Sequence, residues 1–504
     1  MERAPIPSHP VLTADETRAL EERLLGKDPK KVWSAMRAAG SAVAAAALRD
    51  FREAGTFPAK GRILVLAGKG HNAGDALIAA REVLAEVTQA SADVLFAFGP
   101  EKLGELALRA WRELSEAGGA RVRTVESATL ASAYDLCLDG IFGFQYRPPL
   151  PPEAVAAIEA SARTTVRFRA AVDLPSGLGE AAGFAADFTY ATGTVKTALL
   201  GCAHAGRPRY LDLGFFEDGL GDGQRARAGD RVLIRSILDP LARMRPATVD
   251  KRAQGHLLIV GGSLQFPGAV LMATLSALRS GAGLVTTLVP EPLAPAHASR
   301  APEAMWAGLP VNAKGGLAKG ALERIVGSLA RATALVIGPG MGRDPETLSL
   351  VLEVVKASTV PVVIDADALQ PDIVRAGSAP RILTPHEGEF ARISFGASLR
   401  ELCAALPAVI VRKGPLTRIC EGGAVYHSLF GGPVLARGGS GDILSGLTGG
   451  LLAQGPKDPL TAACRAVAWH GIAADRLARG HGQTAVRILQ LLDFLAPALR
   501  DSEG

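Results

Sequence analysis

Two α/β domains in tandem are the architecture that the sequence predicts, and three observations support it. The chain has 504 residues, more than the ~250–300 residues that one hydrophobic core usually spans. Short β-rich runs alternate with helical stretches in both halves, which is typical of βαβ units around a parallel sheet. A polar, glycine-rich stretch without periodicity, residues 216–230, separates the two alternations. The predicted domains are therefore residues 1–215 and 229–504, joined by a linker at 216–228.

The first half of the chain predicts two helices and then an alternation of strands and helices. Residues 13–25 and 32–51 predict the two helices, and the second is so rich in alanine that close packing on a neighbour is expected. The predicted buried strands are 62–68, 93–99, 134–140 and 168–174, with helices at 74–86 and 101–117. Because helices connect the strands, the strands are expected to be parallel.

The second half predicts another sheet of the same kind. Its predicted strands are 256–262, 283–290, 334–340 and 361–367, with helices at 268–280, 321–331 and 346–357. A further strand at 408–414 leads into a hairpin at 417–423. Helices at 441–453, 459–479 and 484–499 complete the prediction.

Charge and cysteine content narrow the classes of function. The formal net charge is +5, from 55 basic and 50 acidic residues, and no run of five like charges occurs, so a nucleic-acid surface is not indicated. Five scattered cysteines without a CxxC pair predict free thiols in a reducing compartment. No apolar stretch of ~18 residues and no apolar leader occur, so a cytoplasmic protein without a membrane partner is expected. The expected partners are small molecules, and a homo-oligomer is expected.

The stretch RGGSGDILSG, residues 437–446, places Asp442 in a glycine-rich turn before an apolar run. Glycines let backbone N–H groups approach an anion, and a helix start adds partial positive charge. A carboxylate beside a bound phosphate can accept the proton of an attacking hydroxyl. The alternative is a helix-start aspartate that stabilises the macrodipole by ~0.3–1 kcal/mol.

Four other loops of the second half carry residues suited to a site. They are IGPGMGRD (337–344), VIDADAL with Asp365 and Asp367, LTPHEGEF with His386, Glu387 and Glu389, and VRKGPLT with Lys413. Each follows a predicted strand, and α/β folds build their sites at the carboxyl ends of parallel strands. Each loop alone fits ordinary turn chemistry, but their joint occurrence favours a site.

Residues 250–480 resemble the dehydratase domain of the NAD(P)H-hydrate repair enzymes. The matching stretches are GHLLIVGGSLQFPGAVLMA, SGAGLVT, VIGPGMG, DADAL, TPHEGE, KGPLT and GGSGDILSG. The resemblance implies a ribokinase-like fold and dehydration of the S hydrates NADHX and NADPHX with ADP or ATP and Mg²⁺. It implies that Asp442 is the base that activates the hydrate's hydroxyl for phosphorylation.

The same resemblance implies two groups of binding residues. The nucleotide-binding residues are Lys413, Gly414, Pro415, Leu416, Thr417 and Gly441. The residues that bind the hydrate are Ala269, Gly340, Gly342, His386 and Asp442.

In the first half, the turn AGKGHNAGDALIAAR (67–81) follows the first predicted strand and opens a helix, which suits a phosphate. Asp139, Asp173 and Ser176 stand at the ends of further predicted strands. Together with Asn72 they could bind a cation through oxygen atoms or share acid–base work. Asx turns and helix caps explain these residues equally well.

Residues 1–215 resemble the epimerase domain that is usually fused to this dehydratase, through HNAGD, the aspartate before the FG loop and VDLPSG. The resemblance implies a Rossmann-like, three-layer fold that interconverts the R and S hydrates. It implies K⁺ bound by Asn72, Asp139 and Ser176, and catalysis by Asp173. The implied substrate-binding residues are His71, Asn72, Ala73, Gly74, Asp75, Gly143, Phe144, Gln145, Tyr146, Arg147, Pro148, Pro149 and Asp173.

The epimerase pattern is not matched at every position. His71 replaces an asparagine, Ala73 and Ala76 replace glycines, and the segment after PSGL is short. Ala73 adds a Cβ where a positive φ or a close approach of ligand is expected. These departures bear on the epimerase half alone.

Two alternative functions are compatible with parts of the sequence. A small-molecule kinase of the hydroxymethylpyrimidine or thiazole type would share the ribokinase-like fold and the GGxGD turn. The first half could be a non-catalytic, scaffolding or RNA-binding module. The combination of TPHEGE with DADAL and VIGPGMG favours the dehydratase, and the low charge density disfavours RNA binding.

Overall fold

A computed structural model describes residues 4–217 and 229–500. The chain forms two compact units. The N-terminal unit comprises His9–Arg225 and Ala478–Gln483, and the C-terminal unit comprises Met1–Ser8, Ala226–Leu477 and Thr484–Gly504. Most of the predicted linker, residues 218–228, lies outside the described residues.

The N-terminal unit is built around a parallel sheet. Its helices are α1 (Ala14–Leu25), α2 (Pro29–Phe51), α3 (His71–Glu86), α4 (Glu105–Gly118) and α5 (Pro152–Ala162). Its strands are β1 (Ser8–Leu12), β2 (Arg62–Ala67), β3 (Ser91–Phe96), β4 (Val122–Thr124), β5 (Ala133–Gly140), β6 (Thr165–Val172), β7 (Phe188–Thr192), β8 (Val195–Lys196) and β9 (Arg207–Leu211). The sheet order is β4-β3-β2-β5-β6-β7-β9 with every pairing parallel, while β1 pairs with β8.

Strand β2 shows why apolar residues must pack against both faces of this sheet. Ile63 and Val65 enter one apolar core, and Leu64 and Leu66 enter the other, because successive side chains of a strand point to opposite faces. The alanine-rich helix α2 packs closely on α3, since a Cβ on Gly40 would lie 2.6 Å from the Ile78 Cβ. The predicted three-layer α/β architecture is confirmed.

The C-terminal unit carries the second sheet. Its helices are α6 (Asp239–Ala242), α7 (Pro267–Arg279), α8 (Ala294–Arg300), α9 (Leu322–Leu329), α10 (Pro345–Ala357), α11 (Pro371–Arg375), α12 (Glu387–Ser394), α13 (Leu399–Ala405), α14 (Ser440–Gln454), α15 (Pro459–His481) and α16 (Leu495–Arg500). Its strands are β10 (Gly229–Leu233), β11 (His256–Val260), β12 (Leu284–Pro290), β13 (Met305–Leu309), β14 (Ala334–Ile337), β15 (Val362–Ile364), β16 (Arg381–Leu383), β17 (Ala408–Arg412), β18 (Thr417–Glu421) and β19 (Ala424–Ser428).

Within this unit the strand order is β13-β12-β11-β14-β15-β16-β17-β18-β19-β10. The strands from β13 to β17 are parallel, β17, β18 and β19 form the predicted antiparallel hairpins, and β10 pairs parallel with β19. Strand β11 has β12 on one side and β14 on the other, just as β2 lies between β3 and β5. Ligand crevices in open α/β sheets form at such positions, outside the carboxyl ends of the strands.

The predicted helix at 484–499 is wrong in its form. Residues Ile488–Phe494 form a 3₁₀ stretch, and α16 follows from Leu495. Pro497 explains the break, because proline has no N–H to donate and is tolerated only in the first turn of an α-helix. Among residues 4–217 and 229–500, no helix has the length and apolar character needed to cross a membrane.

Candidate active sites

A cavity of about 630 Å³ lies at the carboxyl end of the N-terminal sheet. Its lining includes the turn after β2, the loop after β5 and Asp173 after β6. Nine residues predicted to bind substrate line it: His71, Asn72, Asp75, Gly143, Phe144, Gln145, Tyr146, Arg147 and Asp173. Ala73, Gly74, Pro148 and Pro149 are not among the lining residues.

The expectation that Ala73 needs an unusual backbone is wrong. Helix α3 begins at His71 rather than at 74, so Ala73 has a helical backbone and its methyl lies in the apolar core. Gly74 faces α2, where an added Cβ would lie 2.5 Å from the Met36 sulfur. Ala73 favours the first turn of α3, because alanine is a better helix former than glycine by ~1 kcal/mol.

Two of the three predicted cation ligands, Asn72 and Ser176, contact Phe142, and the third, Asp139, is hydrogen-bonded to Ser176. The Asn72 amide donates to the Phe142 carbonyl oxygen at 2.8 Å, and the Phe142 N–H donates to the Ser176 hydroxyl oxygen at 2.9 Å. The Ser176 hydroxyl donates to one Asp139 oxygen at 2.6 Å, and the Ser176 N–H donates to the other at 2.7 Å. Burial raises the pKa of Asp139 to about 6, although the Ser176 hydrogen bonds act to lower it. The structure thus brings Asn72, Asp139 and Ser176 together.

Asp173 forms a buried ion pair that the sequence analysis missed. Asp173 adopts a left-handed backbone with φ of 64°, and one of its carboxylate oxygens contacts the Lys196 ammonium. The two side chains are only 7% and 2% exposed, respectively. Lys196 also donates to the Thr194 carbonyl at 3.1 Å. The available signal was a lysine isolated in the stretch FTYATGTVKTALLGCAHAG (188–206), which has no other Lys, Arg, Asp or Glu.

Asp75 adds a further carboxyl to the cavity. It lies in the second turn of α3 and lines the cavity with Asp173. Burial raises the pKa of Asp75 well above its usual range, and the nearby charges of Asp173 and Glu21 raise it further. Asp173 is already paired with Lys196, so Asp75 is an additional carboxyl in the cavity without a second buried ammonium, among the described residues that line it, to balance it.

In the C-terminal unit, Lys413 joins the carboxyl ends of three strands. Its ammonium lies 3.1 Å from the Asp365 Oδ1 and 4.0 Å from the Glu389 Oε2. The same Asp365 oxygen accepts a hydrogen bond of 2.7 Å from the Thr384 hydroxyl. Burial lowers the pKa of Lys413, but Asp365 and Glu389 outweigh it, so that pKa is raised overall. Lys413 therefore remains a cation.

Asp442 is the third residue of α14, which follows Gly439 with φ of 94°. A Cβ on Gly441 would lie 3.2 Å from the Lys413 Nζ, so the predicted nucleotide residues Lys413 and Gly441 are brought together. Burial, together with the charge of Asp365, raises the pKa of Asp442 to about 7 against the opposing effect of Lys413. A carboxyl with this pKa is suited to accept a proton near neutral pH.

The remaining nucleotide residues form the turn between β17 and β18. Gly414 and Pro415 are exposed, Leu416 is partly buried, and the Thr417 hydroxyl donates to the Gly414 carbonyl at 3.4 Å. The turn follows directly on Lys413, which places it beside the start of α14.

His386 has a local structural role as well as its predicted one. Its Nδ1 accepts hydrogen bonds from the N–H groups of Gly388 (3.0 Å) and Glu389 (3.4 Å), which caps α12. Glu389 returns the contact, accepting from the His386 N–H at 2.9 Å. The side chain of His386 is nevertheless 60% exposed. It can therefore contact a ligand while it caps the helix.

Gly340, one of the two glycines predicted to bind the hydrate, packs against the start of α7. Gly340 has φ of 66°, and a Cβ on it would lie 2.9 Å from the Ala269 Cβ. The Gly342 N–H donates to an Asp367 oxygen at 3.0 Å. Asp367 also accepts from the Arg343 Nε at 3.0 Å, so this carboxylate organises the loop. Helix α7 in turn approaches α14, since a Cβ on Gly439 would lie 2.5 Å from the Met272 sulfur.

Comparison with known proteins shows the family to which the chain belongs. Residues 257–496 match the family described as NAD(P)H-hydrate dehydratase, and residues 34–200 match the family described as YjeF-related protein N-terminus. The bifunctional NAD(P)H-hydrate repair enzyme of Moorella thermoacetica is 34% identical over 476 residues, which cover 88% of both chains. The chain belongs to the family of bifunctional NAD(P)H-hydrate repair enzymes.

A second relative and one solved structure are also similar to this chain. The bifunctional NAD(P)H-hydrate repair enzyme of Gloeobacter violaceus is 36% identical over 494 residues, covering 92% of this chain and 94% of the relative. A crystal structure of the ADP/ATP-dependent NAD(P)H-hydrate dehydratase from Bacillus subtilis is 29% identical, with a TM-score of 0.46, and covers 53% of this chain and 96% of that one. The family predicted from the loop motifs is confirmed, and the relatives do not support the small-molecule kinase alternative.

Proposed function

We propose that the protein repairs hydrated nicotinamide nucleotides. The N-terminal unit interconverts the R and S forms of NADHX and NADPHX, and the C-terminal unit dehydrates the S form with ADP or ATP. Membership of the family supports both activities. The observation that carries the dehydratase is Asp442, a carboxyl with a pKa raised to about 7 in the first turn of α14, beside the Lys413 ammonium.

The dehydration follows from these groups. The N–H groups at the start of α14 and the Lys413 ammonium hold the nucleotide's terminal phosphates, which lowers the cost of bringing negative charge into the site. Asp442 accepts the proton of the hydrate's hydroxyl, whose oxygen then attacks the terminal phosphorus and displaces the shortened nucleotide. The ring carbon–oxygen bond of this phosphate ester then breaks, and inorganic phosphate leaves as the ring nitrogen's lone pair forms a double bond to the same carbon. Loss of a proton from the neighbouring ring carbon restores the nicotinamide.

Mg²⁺ is proposed to enter with the nucleotide. In the described ranges 4–217 and 229–500, no group of three or more His, Cys, Asp or Glu side chains is arranged to hold a metal ion. Mg²⁺ commonly binds through one or two carboxylates and the phosphates of a substrate, and Asp365, Glu389 and Asp442 supply carboxylates of that kind. When bound, it would neutralise phosphate charge.

For the epimerase, Asn72, Asp139 and Ser176 are proposed to hold K⁺. Their oxygen atoms suit a hard cation, and the proposal is supported by the hydrogen bonds that connect Asp139 to Ser176 and both Ser176 and Asn72 to Phe142. Asp173 is proposed to catalyse inversion at the hydrate's carbon that bears both the hydroxyl and the ring nitrogen. Loss of that hydroxyl as water, followed by addition of water to the other face, inverts the centre.

The test uses the full-length protein and chromatographically resolved R and S hydrates. The S hydrate should return to NADH or NADPH with one ADP or ATP consumed per molecule, followed by absorbance of the reduced nicotinamide. Repair without nucleotide would contradict the proposed dehydratase. Phosphorylation of hydroxymethylpyrimidine or a thiazole alcohol, without repair of the hydrate, would favour the kinase alternative. A cytoplasmic location and a homo-oligomeric assembly stay predictions.

A further inference from the structure

The cavity of the N-terminal unit contains an ionisable residue that no sequence motif indicated. The ionisable residues that line the cavity are Glu21, Lys69, His71, Asp75, Tyr146, Arg147, Glu153, Asp173 and Lys196. Glu21 alone among them comes from α1, which precedes the sheet. Neither the glycine-rich turn nor the strand-end loops of the epimerase pattern include it.

The packing of α1 directs Glu21 towards Lys196. Thr17 is fully buried on α1, and its hydroxyl lies 3.5 Å from the Thr194 hydroxyl, two residues before Lys196. Glu21 is four residues after Thr17, so it lies on the same face of the helix, one turn further along. Leu25, another turn on, also lines the cavity, whereas the neighbouring Glu22 is exposed.

Around Glu21, the carboxyl groups outnumber the buried ammonium groups. Lys196 is the buried ammonium at this end of the cavity, and the Asp173 carboxylate is in contact with it. Two further carboxyls, Asp75 and Glu21, line the same space. Burial raises the pKa of Glu21 to about 7, with Lys196 lowering it and Asp173 raising it. The cavity therefore offers one carboxylate paired with an ammonium, Asp173, and two further carboxyls, Glu21 and Asp75, whose pKa values are raised by burial.

Inversion of the hydrated carbon requires both kinds of group. Hydroxide is a poor leaving group, so an acid must protonate it, and a base must take a proton from the water that adds to the other face. Two titratable groups whose surroundings separate their pKa values are a common solution to this requirement. Asp173, in contact with Lys196, is suited to the base, which leaves the acid to be identified.

We propose that Glu21 is the catalytic acid of the epimerisation, a proposal that rests on the epimerase function inferred above. The Glu21 carboxyl gives its proton to the hydroxyl, the carbon–oxygen bond breaks with both electrons going to the departing water, and the ring nitrogen's lone pair forms the iminium. Water adds to the opposite face of that carbon, and Asp173 accepts its proton. Exchange with solvent returns the proton to Glu21, so nothing is oxidised or consumed.

The experiment measures conversion of the R hydrate to the S hydrate by the full-length protein without nucleotide, so that the dehydration does not run. The spontaneous rate is subtracted. Glu21→Gln should lower the rate by ~10²–10⁴-fold, as removal of a general acid typically does. Glu21→Asp should recover part of the loss. Glu22→Gln, which alters the adjacent exposed carboxylate, should leave the rate unchanged.

The pH dependence separates an acid from a purely structural carboxyl. In the wild type the conversion rate should fall as pH rises through about 7, because Glu21 then loses its proton. Glu21→Gln should abolish this fall. A Glu21→Gln protein that keeps the conversion rate within a fewfold of wild type, with the same alkaline limb, would overturn the proposal.

A control identifies failure of the underlying function. Nucleotide-dependent dehydration of the S hydrate should be equal in the wild type and Glu21→Gln, which reports an intact C-terminal unit. If Glu21→Gln alters folding, the pH profiles of the wild type and Glu21→Asp decide between the two roles. An acid at position 21 shifts the alkaline limb of the conversion rate in Glu21→Asp, whereas a purely structural carboxyl leaves that limb unshifted and would overturn the proposal. If the wild type itself does not convert the R hydrate, the proposed epimerase fails rather than the role of Glu21.

Discussion

Replacing Asp442 with asparagine tests the chemistry of the C-terminal unit directly. The amide has nearly the shape of the carboxyl, so the first turn of α14 and the position of Lys413 should persist. Only proton acceptance is lost, and removal of a general base typically lowers turnover by ~10²–10⁴-fold. Nucleotide affinity should hold or rise, because a negative charge beside the phosphates is removed.

The stability of the same variant has a predictable sign. The pKa of Asp442 is raised from 3.8 to about 7 by burial and by the charge of Asp365. The folded protein therefore binds this proton more tightly than the unfolded chain, and ionisation opposes folding. The gap between the two values corresponds to roughly 4 kcal/mol, an upper figure for a group that solvent reaches in part. This penalty is absent below pH 3.8 and complete above about pH 7.

Asp442→Asn should therefore melt at a higher temperature than the wild type at pH 8 and at nearly the same temperature at pH 4. A helix-start aspartate predicts the reverse, a loss of up to ~1 kcal/mol with near-normal turnover. Asp28→Asn is the matched control, because Asp28 caps α2 with an exposed carboxylate that accepts from the Lys30 N–H at 2.9 Å. Turnover of Asp442→Asn within a fewfold of wild type, with a lowered melting temperature, would refute the assignment of Asp442 as the base.

Three further substitutions have expected outcomes. Asp173→Asn should clear the S hydrate at the wild-type rate but leave the R hydrate at its spontaneous rate, measured by chromatography; rapid loss of both forms would exclude Asp173. Lys413→Ala should raise the nucleotide KM more than it lowers turnover in initial-rate assays, with the exposed Lys457→Ala as control, and the opposite pattern would assign Lys413 to the chemical step. Lys196→Met should lower stability by ~3–5 kcal/mol in denaturant melts, because Asp173 is left buried without its partner. Asp173→Asn combined with Lys196→Met should recover most of that loss, and a double variant as unstable as the single one would contradict this explanation.

The sequence predicted the loops that carry the sites because their composition differs so clearly from that of the buried strands. Asp365, Lys413 and Asp442 each follow a β-rich run or a glycine-rich turn, and the carboxyl ends of parallel strands meet at one edge of a sheet. Their location at one edge of the sheet was therefore predictable, whereas the contacts of Lys413 with Asp365 and Glu389 were not. The distances between them depend on strand order, which a single sequence does not state.

Other features depend on contacts between distant parts of the chain. Lys196 lies in an apolar stretch, and its partner Asp173 is far from it in sequence, so no local pattern joins them. Ala73 was misinterpreted because a glycine-rich turn and the first turn of a helix look alike in composition, and α3 begins earlier than its apolar period. Glu21 faces the cavity because α1 packs through Thr17 against Thr194, a contact between residues 177 positions apart that no local pattern predicts.

Strands β2 and β11 show that different residues stabilise each sheet and face the ligand sites. Their side chains fill the cores, whereas the residues that face ligands stand on the loops beyond their ends. Substitutions in those loops are therefore largely free of the burial constraints that apply to the strands. Each unit is consequently open to divergence or laboratory selection towards other substrates through randomised loops 68–72, 141–147 and 338–344.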